Sequence, residues 1–345
     1  MFNNVEYIKY RDKIKSNEKY SVDKKVNYLN RLEVLKECNS LIILNSFHFS
    51  NLVGIKWKLL KKIINNTDDF YYNFKISKKS GGKRKINVPS KPLALCQKFI
   101  KEEILDNIKI HNASHGFSFN RSIISNAKMH LNREIVLNID LKDFFPSISR
   151  KKVFYVFNVL CGYDNDLSHC LTKLVMYNDG LPQGACTSPI LSNIVSYKMD
   201  LRLQKLAQKL NIVYTRYADD ITFSGSRNVI NDKFLHVVTG IVNECGYLIN
   251  DKKTRFQTQY GKQEVTGLLV NNEKVSVPNH YLKRIRQELY YIDKFGLKEH
   301  KKNCNIYNKY YKEHLKGKIM FVYSIDKEKA VKLLEKYNSI FESDK

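Results

Sequence analysis

Two adjacent aspartates at a predicted hairpin turn are the feature that most constrains the fold of this chain. Asp219 and Asp220 end the tetrapeptide 217–220, and the flanking segments 212–216 and 221–224 have the β-branched and aromatic composition of paired strands. Adjacent carboxylates at a tight turn repel each other, and a divalent cation relieves this repulsion because Mg²⁺ prefers hard oxygen ligands. An aspartate-rich surface turn is the alternative, because Asp is common in turns. The tetrapeptide alone leaves both interpretations open.

A third carboxylate closes an apolar run earlier in the chain. Asp140 follows the segment 135–139, which is apolar apart from Asn138 and predicts a buried strand. A side chain at the end of such a strand can be directed by a rigid sheet toward Asp219 and Asp220. Two metal ions held about 3.5–4 Å apart by such groups activate an attacking hydroxyl and stabilise a leaving pyrophosphate. The alternative is a strand-ending turn in which Asp143 caps a helix.

The charge balance indicates the kind of partner. The chain has 59 Lys and Arg residues against 34 Asp and Glu, a formal net charge of +25, and a polyanion such as nucleic acid is the natural partner of that surface. A membrane is not expected, because the cations are spread along the chain and no apolar run approaches the length of a membrane span. The start of the sequence lacks a signal-peptide layout, so we expect a cytoplasmic protein whose seven cysteines are reduced.

The order of predicted elements indicates an α+β fold with a mostly antiparallel sheet. Six prolines and no Gly/Ser-rich linker predict several closely packed lobes rather than separable domains. The first 66 residues are predicted to be helical, with Leu59, Leu60, Ile63 and Ile64 on the buried face. Strands are predicted at 70–76 and 84–88 around the basic bend 78–83, at 135–141, at both flanks of the aspartate turn, at 263–270 and at 274–277; helices are predicted at 99–108, 188–199, 234–242, 281–292 and 331–341.

Five segments, in this order and spacing, resemble the reverse transcriptases. Asp140 and Phe145 have the spacing of polymerase motif A, residues 181–189 resemble motif B, 217–220 motif C and 246–254 motif D, and 265–269 resemble the following primer-grip segment. The resemblance covers most of the chain and implies a right-hand polymerase fold that copies RNA into DNA. The implied organisation is an N-terminal helical extension at 1–66, fingers at 67–134, a palm at 135–275 with finger elements interleaved, and an RNA-binding helical thumb at 276–345.

The resemblance also implies roles for individual residues. Asp140, Asp219 and Asp220 would hold two Mg²⁺ ions, with Mn²⁺ as a substitute. Lys253 would protonate the pyrophosphate leaving group, although a solvated turn lysine is an equal alternative for it. The incoming deoxynucleoside triphosphate (dNTP) would be bound by residues from the fingers, motif A and motif B, namely Lys83, Arg84, Asp143, Phe145, Gln183 and Gly184. In this assignment Arg84 holds phosphate and Phe145 is the bulky gate under the sugar.

Two further segments resemble the bacterial retron reverse transcriptases. Asn126 and His130 fit the Asn-Ala-x-x-His signature of that branch, and Val265, Thr266 and Gly267 fit its Val-Thr-Gly triplet. Each has a structural alternative, since His130 alone is typical of a packed histidine and the triplet of a strand bulge. Their joint presence favours the retron branch and implies RNA binding by these five residues.

The retron resemblance implies specific partners. Such an enzyme copies part of its cognate non-coding RNA (msr-msd), starting from an RNA 2′-hydroxyl, into branched multicopy single-stranded DNA (msDNA). Cellular RNase H for template removal and a separate effector protein in an anti-phage system are also implied. The basic, tyrosine-rich segment after residue 280 is suited to RNA.

Two alternative functions remain open. One is another bacterial reverse transcriptase, either defence-associated or similar to those of group II introns, or an RNA-templated RNA polymerase; Ala218 and the bulky Phe145 favour DNA synthesis over the latter. The other is a catalytically idle RNA-binding scaffold, which would have no need of all three aspartates.

Overall fold

A computed structural model of the chain describes residues 3–77 and 81–341. The predicted α+β class with an antiparallel central sheet is confirmed. The predicted tip of the first hairpin includes Lys78, Lys79 and Ser80, which lie outside the described residues. Within the described ranges, no helix combines the length and the apolar composition needed to cross a membrane.

Four helices precede the first hairpin, and polar side chains cap three of them. Asn3 accepts hydrogen bonds from the first-turn backbone of the first helix, while Ser21 and Asn45 cap the next two in the same way. Leu60 and Ile63 are buried as predicted and Ile64 is partly buried, but Leu59 is exposed. These helices are α1 (Asn4–Ser16), α2 (Val22–Glu37), α3 (Ser46–Val53) and α4 (Trp57–Asn65).

An antiparallel hairpin and two helices follow. The hairpin consists of β1 (Tyr71–Ser77) and β2 (Lys83–Pro89), and its register sets Ile76 opposite Arg84. Helix α5 (Lys91–Phe99) continues into a π-helical turn, Ile100–Ile104, and the short helix α6 (Ile123–Lys128) follows a long loop.

The central sheet has four antiparallel strands in the order β4-β5-β3-β6. Five of the six residues of β3 are buried, which explains why that strand reads as an almost continuous apolar run in the sequence. Helices pack around the sheet in one hydrophobic core shared with the N-terminal helices. The elements are β3 (Ile135–Asp140), α7 (Arg150–Tyr155), α8 (Asn165–Val175), α9 (Ser188–Val195), α10 (Tyr197–Lys209), β4 (Val213–Tyr217), β5 (Asp220–Gly225), α11 (Asp232–Glu244) and β6 (Arg255–Thr258).

The C-terminal region begins with a small hairpin and ends with three helices that have their own core. The predicted single strand 263–270 is two short strands, because Thr266 and Gly267 both have positive φ and form a tight turn between them. The predicted strand 274–277 was wrong: only Ser276 pairs there, in an isolated bridge to Leu269. The elements are β7 (Glu264–Val265), β8 (Leu268–Leu269), α12 (Asn279–Asn303), which is interrupted at Gly296, α13 (Tyr311–Tyr323) and α14 (Lys327–Phe341).

Candidate active site

Three aspartates meet at one end of the central sheet. The register of β3 and β5 sets Asp140 directly opposite Asp220, and Tyr217 of β4 is opposite Asp220 on the other side. The turn between β4 and β5 consists of Ala218, with φ of 56°, and Asp219. The Leu141 amide donates to the Asp219 carbonyl at 2.9 Å, which ties this turn to the end of β3. The predicted convergence of strand and hairpin is therefore present in the backbone.

Burial and mutual repulsion raise the pKa of two of these carboxyl groups, Asp219 and Asp220. Burial is the main cause at Asp220, whose pKa rises to about 6, and the charges of Asp219 and Asp140 add to it. Burial also raises the pKa of Asp219, while the charges of Lys253 and Arg84 act in the opposite direction. A bound cation relieves the repulsion between crowded carboxylates of this kind. In the part of the chain that the structure describes, however, no three His, Cys, Asp or Glu side chains are arranged to hold a metal ion.

Lys253 is hydrogen-bonded to the carboxylate of Asp140, one of the three aspartates. Its Nζ donates to both carboxylate oxygens of Asp140, at 3.0 and 2.8 Å, and this hydrogen bonding raises the pKa of Lys253. The Asn250 side chain donates to the same carboxylate at 3.1 Å, and the Asn250 amide donates to the Asp140 carbonyl at 2.8 Å. Lys253 thus supplies the positive charge at Asp140. Its predicted role as a proton donor stays a prediction, and Asn250 is a contact that the sequence analysis did not identify.

A buried ion pair supports the aspartate turn from below. The Arg216 guanidinium donates to both oxygens of Asp200 at 2.7 Å, and its remaining nitrogen donates to the Ala218 carbonyl at 3.0 Å. Tyr214 donates to the same carboxylate at 2.7 Å, and the side chains of Arg216 and Asp200 are fully buried. The ion pair was not predicted from the sequence. The feature that could have indicated it is an arginine within a strand of apolar and aromatic residues, although its partner is 16 positions away.

The predicted nucleotide-binding residues lie on β2 and on the loops around it. The Asn87 amide of β2 donates to the Gln183 carbonyl at 2.8 Å. Gly184 has φ of 140°, and a Cβ there would lie 2.6 Å from the Asn87 carbonyl oxygen, so only glycine allows this approach. Lys83 and Arg84 are exposed on β2, and the effect of Arg84 on Asp219 shows that its charge acts on the acidic site.

Motif A supplies the two remaining predicted nucleotide contacts. Phe145 is partly buried and packs on Phe144, with ring centroids 5.6 Å apart, and its carbonyl accepts from the Leu181 amide at 3.0 Å. Asp143 has φ of 46° and is exposed. The loop before motif B is thereby fixed to motif A.

A cavity of about 470 Å³ lies beside the aspartates. Its lining includes Asp140, Asp220 and Lys253 together with Thr266 and Gly267 of the retron-like triplet. A larger cavity of about 880 Å³ lies elsewhere, between the loop 38–41 and helices α7 and α10, and none of the predicted site residues lines it. The smaller cavity is therefore the one that predicted catalytic residues line.

The other retron-like residues are enclosed by protein. His130 has no exposed surface, hydrogen-bonds Ser224 of β5 and Thr215 of β4 at 2.7 Å each, and has a pKa lowered to about 3 by burial. Asn126 and Val265 are also fully buried. RNA binding by this group stays a prediction, but the burial of these three side chains supports an indirect contribution, in which they shape the surface formed by their neighbours.

Comparisons with known proteins identify the family of this chain. Residues 76–309 match the family model described as reverse transcriptase (RNA-dependent DNA polymerase). The retron Ec86 reverse transcriptase of Escherichia coli is 33% identical over 314 residues, which are 90% of this chain and 93% of that protein. The retron Se72 reverse transcriptase of Salmonella heidelberg is 32% identical, over 72% of this chain and 68% of that protein.

Among solved structures, telomerase from Candida albicans in complex with a fragment of telomeric RNA aligns with a TM-score of 0.45 and 13% identity, covering 82% of this chain and 64% of that one. This similarity is distant, and the family assignment rests on the sequence matches. They agree with the predicted polymerase fold and with RNA-directed DNA polymerase activity. The chain belongs to the reverse transcriptase family, within its retron branch.

Proposed function

We propose that this reverse transcriptase copies part of a cognate structured non-coding RNA into branched msDNA, starting from an RNA 2′-hydroxyl. The observation that carries the catalytic part is the strand register that sets Asp140 opposite Asp220 and beside Asp219. The retron-like residues around the same sheet, together with the retron relatives, support the choice of RNA and product.

We infer that Asp140, Asp219 and Asp220 hold two Mg²⁺ ions, which Mn²⁺ can replace. The donor set fits in its chemistry, because three carboxylates with mutually unfavourable charges meet at one end of the sheet, and two of them, Asp140 and Asp220, line the cavity there. When bound, such ions activate the attacking hydroxyl and stabilise the leaving pyrophosphate. Lys253 would then leave Asp140, since its ammonium and a cation compete for the same oxygens.

The remaining residues of the site bind and select the dNTP in this proposal. Arg84 and Lys83 hold the triphosphate, because exposed cations on β2 suit phosphate oxygens. Gln183 and Gly184 pack against β2 and form one side of the dNTP-binding site. Asp143 lies beside the triphosphate. Phe145 excludes a ribose 2′-hydroxyl by its bulk.

The C-terminal helices are the proposed RNA-binding thumb. Tyr290, Tyr307 and Tyr310 are exposed, as stacking on bases requires, whereas Tyr311 is buried in the core of this region. Lys318 is paired with Glu288 at 2.9 Å and is less suited to phosphate binding than its exposed neighbours. Exposed cations between residues 280 and 316 include Lys283, Arg284, Arg286, Lys294, Lys298, Lys302, Lys309 and Lys316, while Lys301 and Lys312 are partly buried.

The cellular setting follows from the retron assignment. We propose a cytoplasmic enzyme that uses host RNase H for template removal and works with a separate effector protein in anti-phage defence. The extension at 1–66 is a candidate contact for that effector or for the RNA.

The product tests this proposal. Nucleic acid is extracted from cells that express the protein with its neighbouring DNA, and from matched cells that carry Asp219→Asn and Asp220→Asn. The proposal predicts a branched RNA–DNA, shortened by debranching enzyme, only with the unaltered protein. A DNA product without a branch would favour another class of bacterial reverse transcriptase, and equal amounts in both strains would contradict the catalytic assignment.

A further inference from the structure

The loop 113–118 is bound to the edge of the central sheet. The Arg216 amide of β4 donates to the Ala113 carbonyl at 2.8 Å, and the His115 amide donates to the Arg216 carbonyl at 2.7 Å. These bonds form a parallel bridge between Ser114 and Arg216. Two backbone hydrogen bonds therefore fix the loop to β4, immediately beside the aspartate turn.

Gly116 brings this loop into contact with the turn itself. A Cβ at Gly116 would lie 2.6 Å from the Ala218 amide nitrogen and 3.1 Å from the Tyr217 carbonyl carbon, so the backbones touch and no other residue fits. The Gly116 carbonyl also accepts a hydrogen bond from the Asn193 side chain at 2.8 Å. The position of the next residue is consequently fixed relative to the catalytic aspartates.

That next residue, Phe117, adopts a conformation that is unfavourable for its type. Its φ is 58°, in the left-handed region where a bulky residue is a genuine outlier. The ring is nevertheless 48% exposed, so burial of the side chain does not account for the strained backbone. Strain of this kind costs about 1–3 kcal/mol and is concentrated at functional sites.

The ring of Phe117 lies between two residues of the polymerase motifs. Its centroid is 6.2 Å from that of Phe145 and 6.5 Å from that of Tyr217, within the range of aromatic pairs. Phe145 therefore has two aromatic neighbours, because Phe144 lies 5.6 Å away. Without Phe117, one of these two supports would be missing.

We propose that Phe117 is a specificity-determining positioning residue, which holds the ring of Phe145 in place for the exclusion of ribonucleotides. This inference rests on the proposed role of Phe145 as the gate. The strained loop places the Phe117 ring near both Phe145 and Tyr217, the residue that precedes the aspartate turn. Loss of that ring allows Phe145 to turn aside and admit a ribose 2′-hydroxyl.

The test measures kcat/KM for a dNTP and for the matching ribonucleoside triphosphate on a primed RNA template. Phe117→Ala should lower the ratio of kcat/KM for the dNTP to kcat/KM for the ribonucleotide about 2- to 12-fold. This factor corresponds to the usual strength of an aromatic pair. Phe119→Ala is the matched control, because Phe119 lies two residues after Phe117 and is 91% exposed. Phe117→Asn keeps a residue that tolerates positive φ while it removes the ring, and it should lower the ratio equally.

The outcomes separate this inference from the function on which it rests. A lower ratio for Phe145→Ala and for both Phe117 variants, with Phe119→Ala unchanged, supports the inference. If Phe145→Ala lowers the ratio but neither Phe117 variant does, the positioning role is wrong and the gate stands. If Phe145→Ala itself leaves the ratio unchanged, the gate assignment fails, and the role of Phe117 fails with it.

Discussion

At the scale of single residues, a lysine supplies a positive charge to one aspartate of the acidic site. Lys253 contacts both oxygens of Asp140, although its side chain is 56% exposed and Asp140 is nearly buried. An exposed cation on a flexible stem can leave that contact when another cation takes its place, because the nearly buried Asp140 carboxylate then keeps a positive partner. Lys253 is thus able to exchange Asp140 for another partner during the reaction.

The predicted catalytic role of Lys253 is tested by Lys253→Met. If Lys253 donates a proton to pyrophosphate, the single-turnover rate of dNTP incorporation should fall roughly 10²-fold or more, within the usual range of general acid catalysis. The dNTP concentration at half-maximal rate should change little. Lys233→Met, at an exposed position of α11, is the control. A rate within twofold of the unaltered enzyme would leave Lys253 as a solvated turn lysine.

At the scale of elements, buried polar contacts fix the strands that carry the aspartates. The Arg216–Asp200 pair joins β4 to α10, and His130 joins the end of α6 to β4 and β5. A buried pair becomes costly when one charge is removed, because the other remains buried without its partner. These contacts keep the aspartate turn in one conformation.

Asp200→Asn should therefore lower the free energy of unfolding by about 3–5 kcal/mol. The matched control is Asp179→Asn, because Asp179 pairs with Arg150 at 2.8 Å on the surface and its loss should cost about 0–1 kcal/mol. Urea denaturation measures both values. Equal effects of the two substitutions would contradict the importance of the buried pair.

The buried His130 predicts a pH dependence of stability. Its pKa is lowered to about 3 in the folded chain from an ordinary value of 6.5. Below pH 6.5 the unfolded chain binds a proton at His130 that the folded chain does not. The free energy of unfolding therefore decreases as the pH is lowered from 6.5 to about 3. Between pH 6.5 and 5 this amounts to about 1–2 kcal/mol. Urea denaturation of His130→Gln should show a smaller decrease in the free energy of unfolding over that interval than the unaltered protein shows. Parallel pH curves for the two proteins would refute the assignment of this pH dependence to His130.

The sequence predicted the local elements well because their signals are local. The apolar run of β3 and the composition around the aspartate turn both predict the strands that are found. The split at Thr266 and the support of the turn by Arg216 were missed. The first depends on a backbone conformation rather than on hydrophobic periodicity, and the second on contacts between residues far apart in the sequence.

At the scale of the whole molecule, residues 3–77 and 81–341 form two main cores and a smaller one between them. One core joins the N-terminal helices to the central sheet, and another lies within the C-terminal helices. The small cluster includes Val265 and Leu268 of the last hairpin and is contacted by Phe321 and Ile325 of the C-terminal region. The predicted boundaries of fingers, palm and thumb remain predictions, but a C-terminal lobe with its own core suits the proposed thumb.

The net charge of +25 predicts RNA binding that depends strongly on salt. For about 6–10 phosphate contacts, affinity should fall roughly 10³- to 10⁵-fold between 50 and 200 mM salt. Replacing the exposed thumb residues Lys294, Lys298 and Lys302 by Gln should weaken binding and reduce the slope of log affinity against log salt. Lys209→Gln and Lys233→Gln, exposed on α10 and α11, are the controls. Equal losses in both sets would argue against a thumb interface.

The central claim is that three aspartates at one end of the sheet catalyse DNA synthesis on RNA. Its most direct measurement is primer extension with dNTPs on an RNA template, with Mg²⁺ or Mn²⁺, for Asp140→Asn, Asp219→Asn and Asp220→Asn, with Asp232→Asn at an exposed position as the control. RNA binding is measured on the same preparations. We predict that each of the three variants loses extension while it still binds RNA, and that the control keeps both. Extension near the unaltered level in any one of the three would contradict the account.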